Sequence, residues 1–450
     1  MNTELIRKYN VAGPRYTSYP TVPYWDGVAP SEAAWERHVL KAYKAGQGLS
    51  LYIHLPYCES LCTYCGCNTR ITVNHAVEKP YIETILREWK MYRQLFGKHK
   101  PLLKELHLGG GTPTFFSPEN LKFLIDSVKE DCQLAPAFEF SFEGHPNNTS
   151  REHLQVLFNI GFRRVSFGIQ DFDPEVQQII NRVQPYENVV RVTREAREIG
   201  YTSINYDLVY GLPFQTIASV ADAFDKVIDL KPDRIAYYSY AHVPWLKPGQ
   251  RRYTEADLPS NEYKRQLYEL GKRRLEMAGY LEVGMDHFAL PEDELYKAAQ
   301  SGSLHRNFMG YTTQNSSLQI GLGASAISDT WTAFGQNIKA VEEYRRVVDE
   351  GRFPLYRGHE LTVEDKSVRQ QILDLMCRFA TDLSDIQQPA LLYEIHERLK
   401  ELEEDNLIEI TASGIKINEK GRAFVRNVCM AFDVRMWRNK PETQLFSSTV

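Results

Sequence analysis

At 450 residues, with 43% hydrophobic and 25% charged side chains, the chain is long and apolar enough to bury a large core. Its 27 Gly and 22 Pro exclude a collagen-like or low-complexity protein. A net charge of −5 gives no bulk attraction to nucleic acid or to an anionic membrane, and no apolar run has the length of a membrane span.

The start, Met1 to Lys8, lacks the apolar stretch of a signal peptide, so a cytosolic protein is expected. Residues 1–48 contain Gly13-Pro14-Arg15-Tyr16-Thr17-Ser18-Tyr19-Pro20-Thr21, too irregular for a strand or helix. They read as an N-terminal arm draped on a barrel, where Arg15 and aromatics line a pocket. Over 49–350, short β-rich runs alternate with helical patterns. The runs are Ser50–Leu55, Glu105–Leu108, Phe138–Phe142, Arg164–Ile169, Ser203–Val209, Arg234–Tyr240 and Gly279–Gly284. Several are apolar or aromatic on both faces, the mark of parallel strands buried between layers.

Helix starts fall between these runs. Ser117-Pro118 and Asp173-Pro174 each supply a cap and a first-turn proline, Thr149 with Glu152 predicts a capping box, and Gly161 closes that helix. Ile217, Val220, Ala221, Phe224, Val227 and Ile228 form one apolar stripe. Repeated β-α units predict a parallel sheet. The runs end in His54-Leu55-Pro56, Gly109-Gly110-Gly111-Thr112, Glu143-Gly144-His145, Gln170-Asp171 and Asp207. Polar groups gathered at the carboxyl ends of apolar strands describe the active face of a (β/α) barrel.

Over 351–450 the character changes to a mostly helical domain. Helices at Val363–Phe379 and Pro389–Leu402 precede a hairpin, Leu407–Ile410 and Ile415–Ile417, and a further helical stretch from Glu419 to Val434. This is a winged-helix-like pattern. Glu401, Glu403, Glu404 and Asp405 would repel phosphates, so a structural module is expected rather than a DNA reader.

Seven cysteines are present, and Cys58, Cys62, Cys65 and Cys67 fall within ten residues, on a loop after the first strand. A disulfide framework spreads its cysteines to close long loops, so this crowding points to a metal. A structural zinc takes ligands from two separated knuckles, and a redox Cys-x-x-Cys pair leaves Cys58 unexplained. An electron carrier uses four thiolates per cluster, often in a much shorter chain. What is left is one iron–sulfur cluster at the top of a large barrel, serving chemistry there.

Cys58-x3-Cys62-x-Tyr64-Cys65 resembles the signature of the radical S-adenosylmethionine (SAM) enzymes. The resemblance implies a [4Fe–4S] cluster held by Cys58, Cys62 and Cys65. Its fourth iron stays open and is chelated by the amino and carboxylate groups of SAM, which the reduced cluster cleaves to methionine and a 5′-deoxyadenosyl radical. Further segments extend the similarity over nearly the whole chain. They include the arm from Lys8 to Thr21, Tyr52 to Cys58, Cys65-Gly66-Cys67-Asn68, Gly109 to Thr114, Gly168 to Phe172 and Asp207 to Pro213. Asn307 to Gln314 and Gly323 to Ser328 follow in the same order. Together they resemble the oxygen-independent coproporphyrinogen III oxidases (dehydrogenases).

That resemblance implies a radical-SAM partial (β/α) barrel and a tetrapyrrole substrate, coproporphyrinogen III, two of whose propionates become vinyl groups in heme biosynthesis. It implies that Gly110, Gly111 and Thr112 approach the methionine part of SAM and that Glu143 meets a ribose hydroxyl or ammonium group. Tyr52, Tyr64, Ala241 and Ile327 pack around this first SAM, and Gln170, Arg182 and Asp207 hold a second. His54 either donates a proton or fixes the surroundings of the cluster, and the role of Cys67 stays open. Arg15 and Arg70 are candidates for substrate carboxylates, and Met309 stands where some members carry a glutamine. A monomer served by a low-potential, flavodoxin-type electron donor is expected. A close branch of the family binds heme as a chaperone and typically carries His-Asn-x-x-Tyr-Trp. Here the matching stretch, His305-Arg306-Asn307-Phe308-Met309-Gly310, lacks that pattern, and the arm is present.

Overall fold

Alternation along the strands decides the architecture. In the computed structural model, which describes residues 3–43, 48–439 and 446–449, one twelve-stranded sheet spans the first 360 residues. Residues 1–2 and 44–47 of the expected arm, and 440–445 and 450 of the expected C-terminal domain, lie outside the described residues. The strands are β1 (Leu49–Leu55), β2 (Leu102–Gly110), β3 (Gln133–Gly144), β4 (Arg164–Gln170), β5 (Ser203–Tyr210), β6 (Arg234–Ser239), β7 (Leu281–Gly284) and β8 (His287–Ala289). They are followed by β9 (Gln319–Leu322), β10 (Ile327–Asp329), β11 (Ala333–Asn337) and β12 (Leu355–Glu360). Their order is β12-β11-β10-β9-β1-β2-β3-β4-β5-β6-β8-β7. Strands β9 and β1 to β6 are parallel, while β10–β12 and the β7–β8 hairpin run antiparallel at the two margins. Strand β6 does not return to β1, so the barrel is partial.

The parallel strands turn out to be one-sided rather than apolar on both faces. Leu51, Ile53, Leu106, Leu108, Phe140, Phe142, Val165, Phe167, Ile204 and Tyr206 are buried in one core cluster with the helices. The alternate positions align across the sheet by register, Tyr52 with His107, His107 with Ser141, Ser141 with Arg164, and Glu143 with Ser166. A period of two sends these polar side chains to the face opposite the helices. The Gly279–Gly284 run joins the sheet as a hairpin strand, not as a seventh β-α unit.

Helices α1 (Glu78–Leu95), α2 (Pro118–Glu130), α3 (Arg151–Ile160), α4 (Tyr186–Ile199), α5 (Ile217–Leu230) and α6 (Asn261–Met277) cover the apolar face. Ser117 caps α2 by accepting from the Asn120 N–H, and Gly161 closes α3 at φ 121°. The cap of α3 is Ser150 rather than Thr149. Ser150 Oγ accepts from the His153 N–H and His153 Nδ1 takes the Ser150 N–H, while the buried Thr149 hydroxyl donates to the His145 carbonyl. Glu152 therefore has no part in the box. A histidine one residue further on satisfies the orphan donor instead.

The C-terminal module runs α7 (Val363–Arg378), β13 (Ala380–Asp382), α8 (Pro389–Glu404), β14 (Ile408–Ile410) and β15 (Gly414–Ile417). Its three strands pair in the order β13-β15-β14, a helix–strand–helix–hairpin arrangement like a winged helix. It has its own apolar cluster, and that cluster takes in Leu5, Tyr9, Tyr16 and Tyr19. The arm thus packs largely on this module rather than on the barrel alone. Arg426 binds the Gly13 and Pro14 carbonyls, and the Tyr16 hydroxyl donates to Asp433 at 3.1 Å. No helix among the described residues is long and apolar enough to cross a membrane.

Candidate active site

The carboxyl ends of β1 to β5 meet the cysteine loop around a cavity of about 540 Å³. Glycines make that junction possible. A Cβ on Gly111 would sit 2.5 Å from the Pro56 carbonyl oxygen, and one on Gly110, at φ 119°, would sit 2.8 Å from the His54 ring. With no side chains there, the Gly111 N–H reaches Leu55 O at 2.9 Å and the Thr112 N–H reaches Tyr57 O at 3.0 Å. Strand end and loop are stitched through backbone.

The loop itself has little regular structure, and neighbouring segments hold it. Its Cys65 N–H closes a turn on Cys62 O at 3.1 Å, and its Thr63 N–H bonds Ile180 O at 2.9 Å. Asn181 donates to Leu61 O, Gln250 to Tyr64 O and Lys247 to Cys67 O. Cys58, Cys62 and Cys65 all line the cavity, with Cys58 Sγ 3.3 Å from the Thr112 hydroxyl and Cys62 Sγ 3.7 Å from Arg182 Nη1. Burial pushes the Cys58 thiol up to about 11, and the Thr112 hydroxyl acts the other way. Cys65 is held below its ordinary value, first by the Cys67 thiol. Among the described residues, no three His, Cys, Asp or Glu side chains converge as a set for a single metal ion.

Tyr64, Gly110, Gly111, Thr112, Glu143, Gln170, Arg182 and Asp207 line the same cavity. Gln170 takes a left-handed backbone, φ 68°, at the end of β4. Glu143 Oε2 accepts from the Gly110 N–H at 3.2 Å, and its Oε1 faces His107 Nε2 at 3.4 Å. Enclosure pushes Glu143 up, but the His107 hydrogen bond and charge and the Gly110 N–H outweigh it and leave the group below its ordinary value. Asp207 is pushed up to about 6 by burial, with Glu143 adding to the effect. Its carboxylate accepts from the Ser166 hydroxyl at 2.9 Å and from Asn205 Nδ2 at 2.9 Å.

The remaining expected residues stand behind the wall or beside it. Tyr52 and His54 back the glycines. The Tyr52 hydroxyl is 3.0 Å from His54 Nδ1, and His54 Nε2 is 2.9 Å from the Asn68 carbonyl. A carbonyl only accepts, so Nε2 carries the proton and Nδ1 accepts from Tyr52. Burial lowers the proton affinity of His54. The Ala241 carbonyl accepts from Gln250, and the half-buried Ile327 packs beside the Trp25–Phe334 cluster. Arg15 pairs with Asp286 at 3.0 Å and Arg70 with Glu342 at 2.8 Å, so both are already engaged. His145, from the polar strand end Glu143-Gly144-His145, lines the cavity, and so does Tyr238, which the sequence reading did not single out; nor did it single out His107, which touches Glu143 from β2. His107 lies in Leu106-His107-Leu108, where strand alternation alone marks it as facing away from the helices.

The Radical SAM superfamily pattern matches residues 52–227. The chain is 39% identical to the oxygen-independent coproporphyrinogen III oxidase of Escherichia coli over 99% of its own length and 98% of that protein. It is likewise 39% identical to the Pseudomonas aeruginosa protein of the same name, over 96% and 95% of the two chains. The chain belongs to the oxygen-independent coproporphyrinogen III oxidase family. A solved structure of E. coli coproporphyrinogen III oxidase, described as a radical SAM enzyme, superposes with a TM-score of 0.90. It is 38% identical and covers 96% of this chain and 98% of that one.

Membership in the radical SAM family implies a [4Fe–4S] cluster and SAM. The donor set fits them. Three thiols suit iron, which takes thiolate ligands. Arg182 Nε is buried and has no hydrogen-bond partner among the described residues, a donor suited to a carboxylate. Glu143 and Asp207 are acceptors suited to ammonium and hydroxyl groups.

Proposed function

We propose that the protein is an oxygen-independent coproporphyrinogen III oxidase. It converts two propionate side chains of coproporphyrinogen III to vinyl groups, giving protoporphyrinogen IX. Each propionate loses one hydrogen atom from its β-carbon, CO2 and one electron. The observation that carries this reading is the gathering of Cys58, Cys62 and Cys65 with Glu143, Arg182 and Asp207 around one cavity, in a chain similar along its length to that family.

When bound, the cluster and SAM supply the one-electron chemistry that removes the hydrogen atom. The chain's own residues hold and orient. Cys58, Cys62 and Cys65 are proposed to ligate one [4Fe–4S] cluster and to leave its fourth iron to SAM. Gly110, Gly111, Thr112 and Glu143 would receive a first SAM, with Tyr52, Tyr64, Ala241 and Ile327 around it. Gln170, Arg182 and Asp207 would receive a second. His54 fixes the wall, since both ring nitrogens are engaged by Tyr52 and Asn68.

The chain is proposed to divide into an arm (1–48), a barrel domain (49–350) and a C-terminal domain (351–450), and to work as a monomer with a low-potential, flavodoxin-type donor. The separate apolar cluster around α7 and α8 supports the last boundary. The heme-chaperone alternative is not favoured, because the similar proteins are named as the oxidase.

An anaerobic assay of the reconstituted protein with SAM, a low-potential reductant, an electron acceptor and coproporphyrinogen III tests the proposal. Protoporphyrinogen and 5′-deoxyadenosine should both form, and Cys62→Ala should abolish both. SAM binding without either product, together with tight heme binding, would return the chaperone reading.

A further inference from the structure

The expected carboxylate receptors, Arg15 and Arg70, are occupied by Asp286 and Glu342. Two other cations border the cysteine loop without such partners, and a third, Arg357, shares the Tyr356 ring with one of them. Lys247, in the loop after β6, donates to the Cys67 carbonyl at 3.4 Å. Lys339, just after β11, accepts on its carbonyl from Asn68 Nδ2 at 3.0 Å. Arg357, on β12, donates its Nε–H to Gln336 Oε1 at 2.8 Å, and Gln336 is the cross-strand partner of Ile327. The three therefore follow one path, from the Cys67–Asn68 end of the loop to Ile327.

Lys339 and Arg357 flank the same Tyr356 ring, and partial burial, then Arg357, then Lys247 hold the Lys339 ammonium below its ordinary value. None of them forms an ion pair with a carboxylate among the described residues. Like charges held together cost stability, and an anion bound there relieves that cost. Beside them lies the ring of Tyr356, 54% exposed, with Lys339 Nζ and the Arg357 guanidinium each 5.8 Å from its centroid. A flat aromatic face among cations suits a ligand that is both ringed and anionic.

We propose that Lys247, Lys339 and Arg357 receive the carboxylate side chains of the tetrapyrrole substrate that are not in reaction. The inference rests on the proposed reaction, whose substrate carries a propionate on each pyrrole ring. Holding the idle propionates at this margin turns a reacting one toward the cavity. Arg357 offers a planar fork for a carboxylate, and the lysines act as point charges.

The test is steady-state kinetics of the reconstituted holoenzyme under anaerobic conditions with coproporphyrinogen III. Lys339→Gln and Arg357→Gln should each raise KM for the porphyrinogen about tenfold and move kcat little, as expected for a lost charge-assisted contact. Cluster absorbance and SAM affinity should be kept. KM should climb with salt in the unaltered protein and less in the double variant. Lys339→Arg should keep the low KM. If Arg357→Gln fails to fold, the exposed Lys339 decides the matter alone.

An unchanged KM in both variants overturns the proposal. So does a defect seen only with a protein electron donor and absent with a chemical reductant, which would make the patch a docking surface for an acidic redox protein. If the unaltered protein fails to convert coproporphyrinogen III, the reaction reading itself falls, and that result is distinct from either.

Discussion

The two walls of the cavity are built by different means. On one side, the glycine and carboxylate groups stand at the ends of parallel strands, and sheet register fixes them to within one residue. On the other, Cys58 is held by a short parallel pairing with Ile71, while Cys62 and Cys65 ride a loop placed by single hydrogen bonds given by Asn181, Gln250, Lys247 and Thr63. The strand side is set by the sheet ladder itself. The loop side is held by contacts each worth about 1 kcal/mol, so bound iron has most to organise there.

The contact between the two walls is where this contrast breaks most easily. Gly111→Ala drives a Cβ into the Pro56 and Tyr57 carbonyl oxygens, both backbone atoms that cannot swing aside. It should destabilise the fold by about 1–3 kcal/mol and cost roughly 100-fold or more in turnover, with reduced iron content after reconstitution. Normal iron content and activity would show that the walls are not coupled through this glycine.

A smaller effect, on stability and pH, should come from Glu88 on α1. Its carboxyl takes the Gly323 N–H, Asn337 Nδ2 and the Tyr344 hydroxyl, and so anchors the turn after β9 beside β1. Burial pushes this group up to about 7, from an ordinary 4.5. The folded protein keeps a proton that the unfolded chain releases, so the contribution is fully present below pH 4.5. It is lost as pH rises through about 7. Glu88→Gln should flatten the fall in urea stability between pH 5 and 8 by on the order of 1–3 kcal/mol. An unaltered pH slope would remove Glu88 as its source.

The smallest effect is expected on the loop side. Asn181→Ala removes one exposed hydrogen bond to Leu61 O and should lower stability by less than about 1 kcal/mol. It should nonetheless slow cluster reconstitution, while SAM affinity of the loaded protein stays near normal. A loss of affinity as large as that from Gly111→Ala would mean that the loop is no softer than the strand ends.

These differences also mark what the sequence could tell. The thiol spacing and the Gly110-Gly111-Thr112 strand end were legible because their chemistry is local. So were the parallel strands, from apolar runs closed by polar residues. Glu88 was not, because it finds partners some 250 residues away, and for His107 alternation gives the face but not the Glu143 carboxylate that it meets on the next strand. The arm was only partly legible for a similar reason: Trp35 and Val39 do pack on the barrel core, but its first twenty residues do not pack there alone. Tyr16 and Tyr19 read as pocket-lining aromatics until the C-terminal module, hundreds of residues later, supplied the core that buries them. Thr149 lost its cap to Ser150 by one position, within the usual uncertainty of helix ends.

Strand β1 carries a consequence for how the molecule is made. It lies between β2 and β9, so one edge pairs within about 50 residues of chain and the other waits for Gln319–Leu322. During synthesis the strand that leads into the thiols therefore leaves the ribosome with an open edge, which is closed only once the chain as far as Gln319–Leu322 has been translated. Such an edge is an aggregation hazard while it waits, and contacts this distant in sequence form slowly. The cysteine wall is translated long before the strand that closes it.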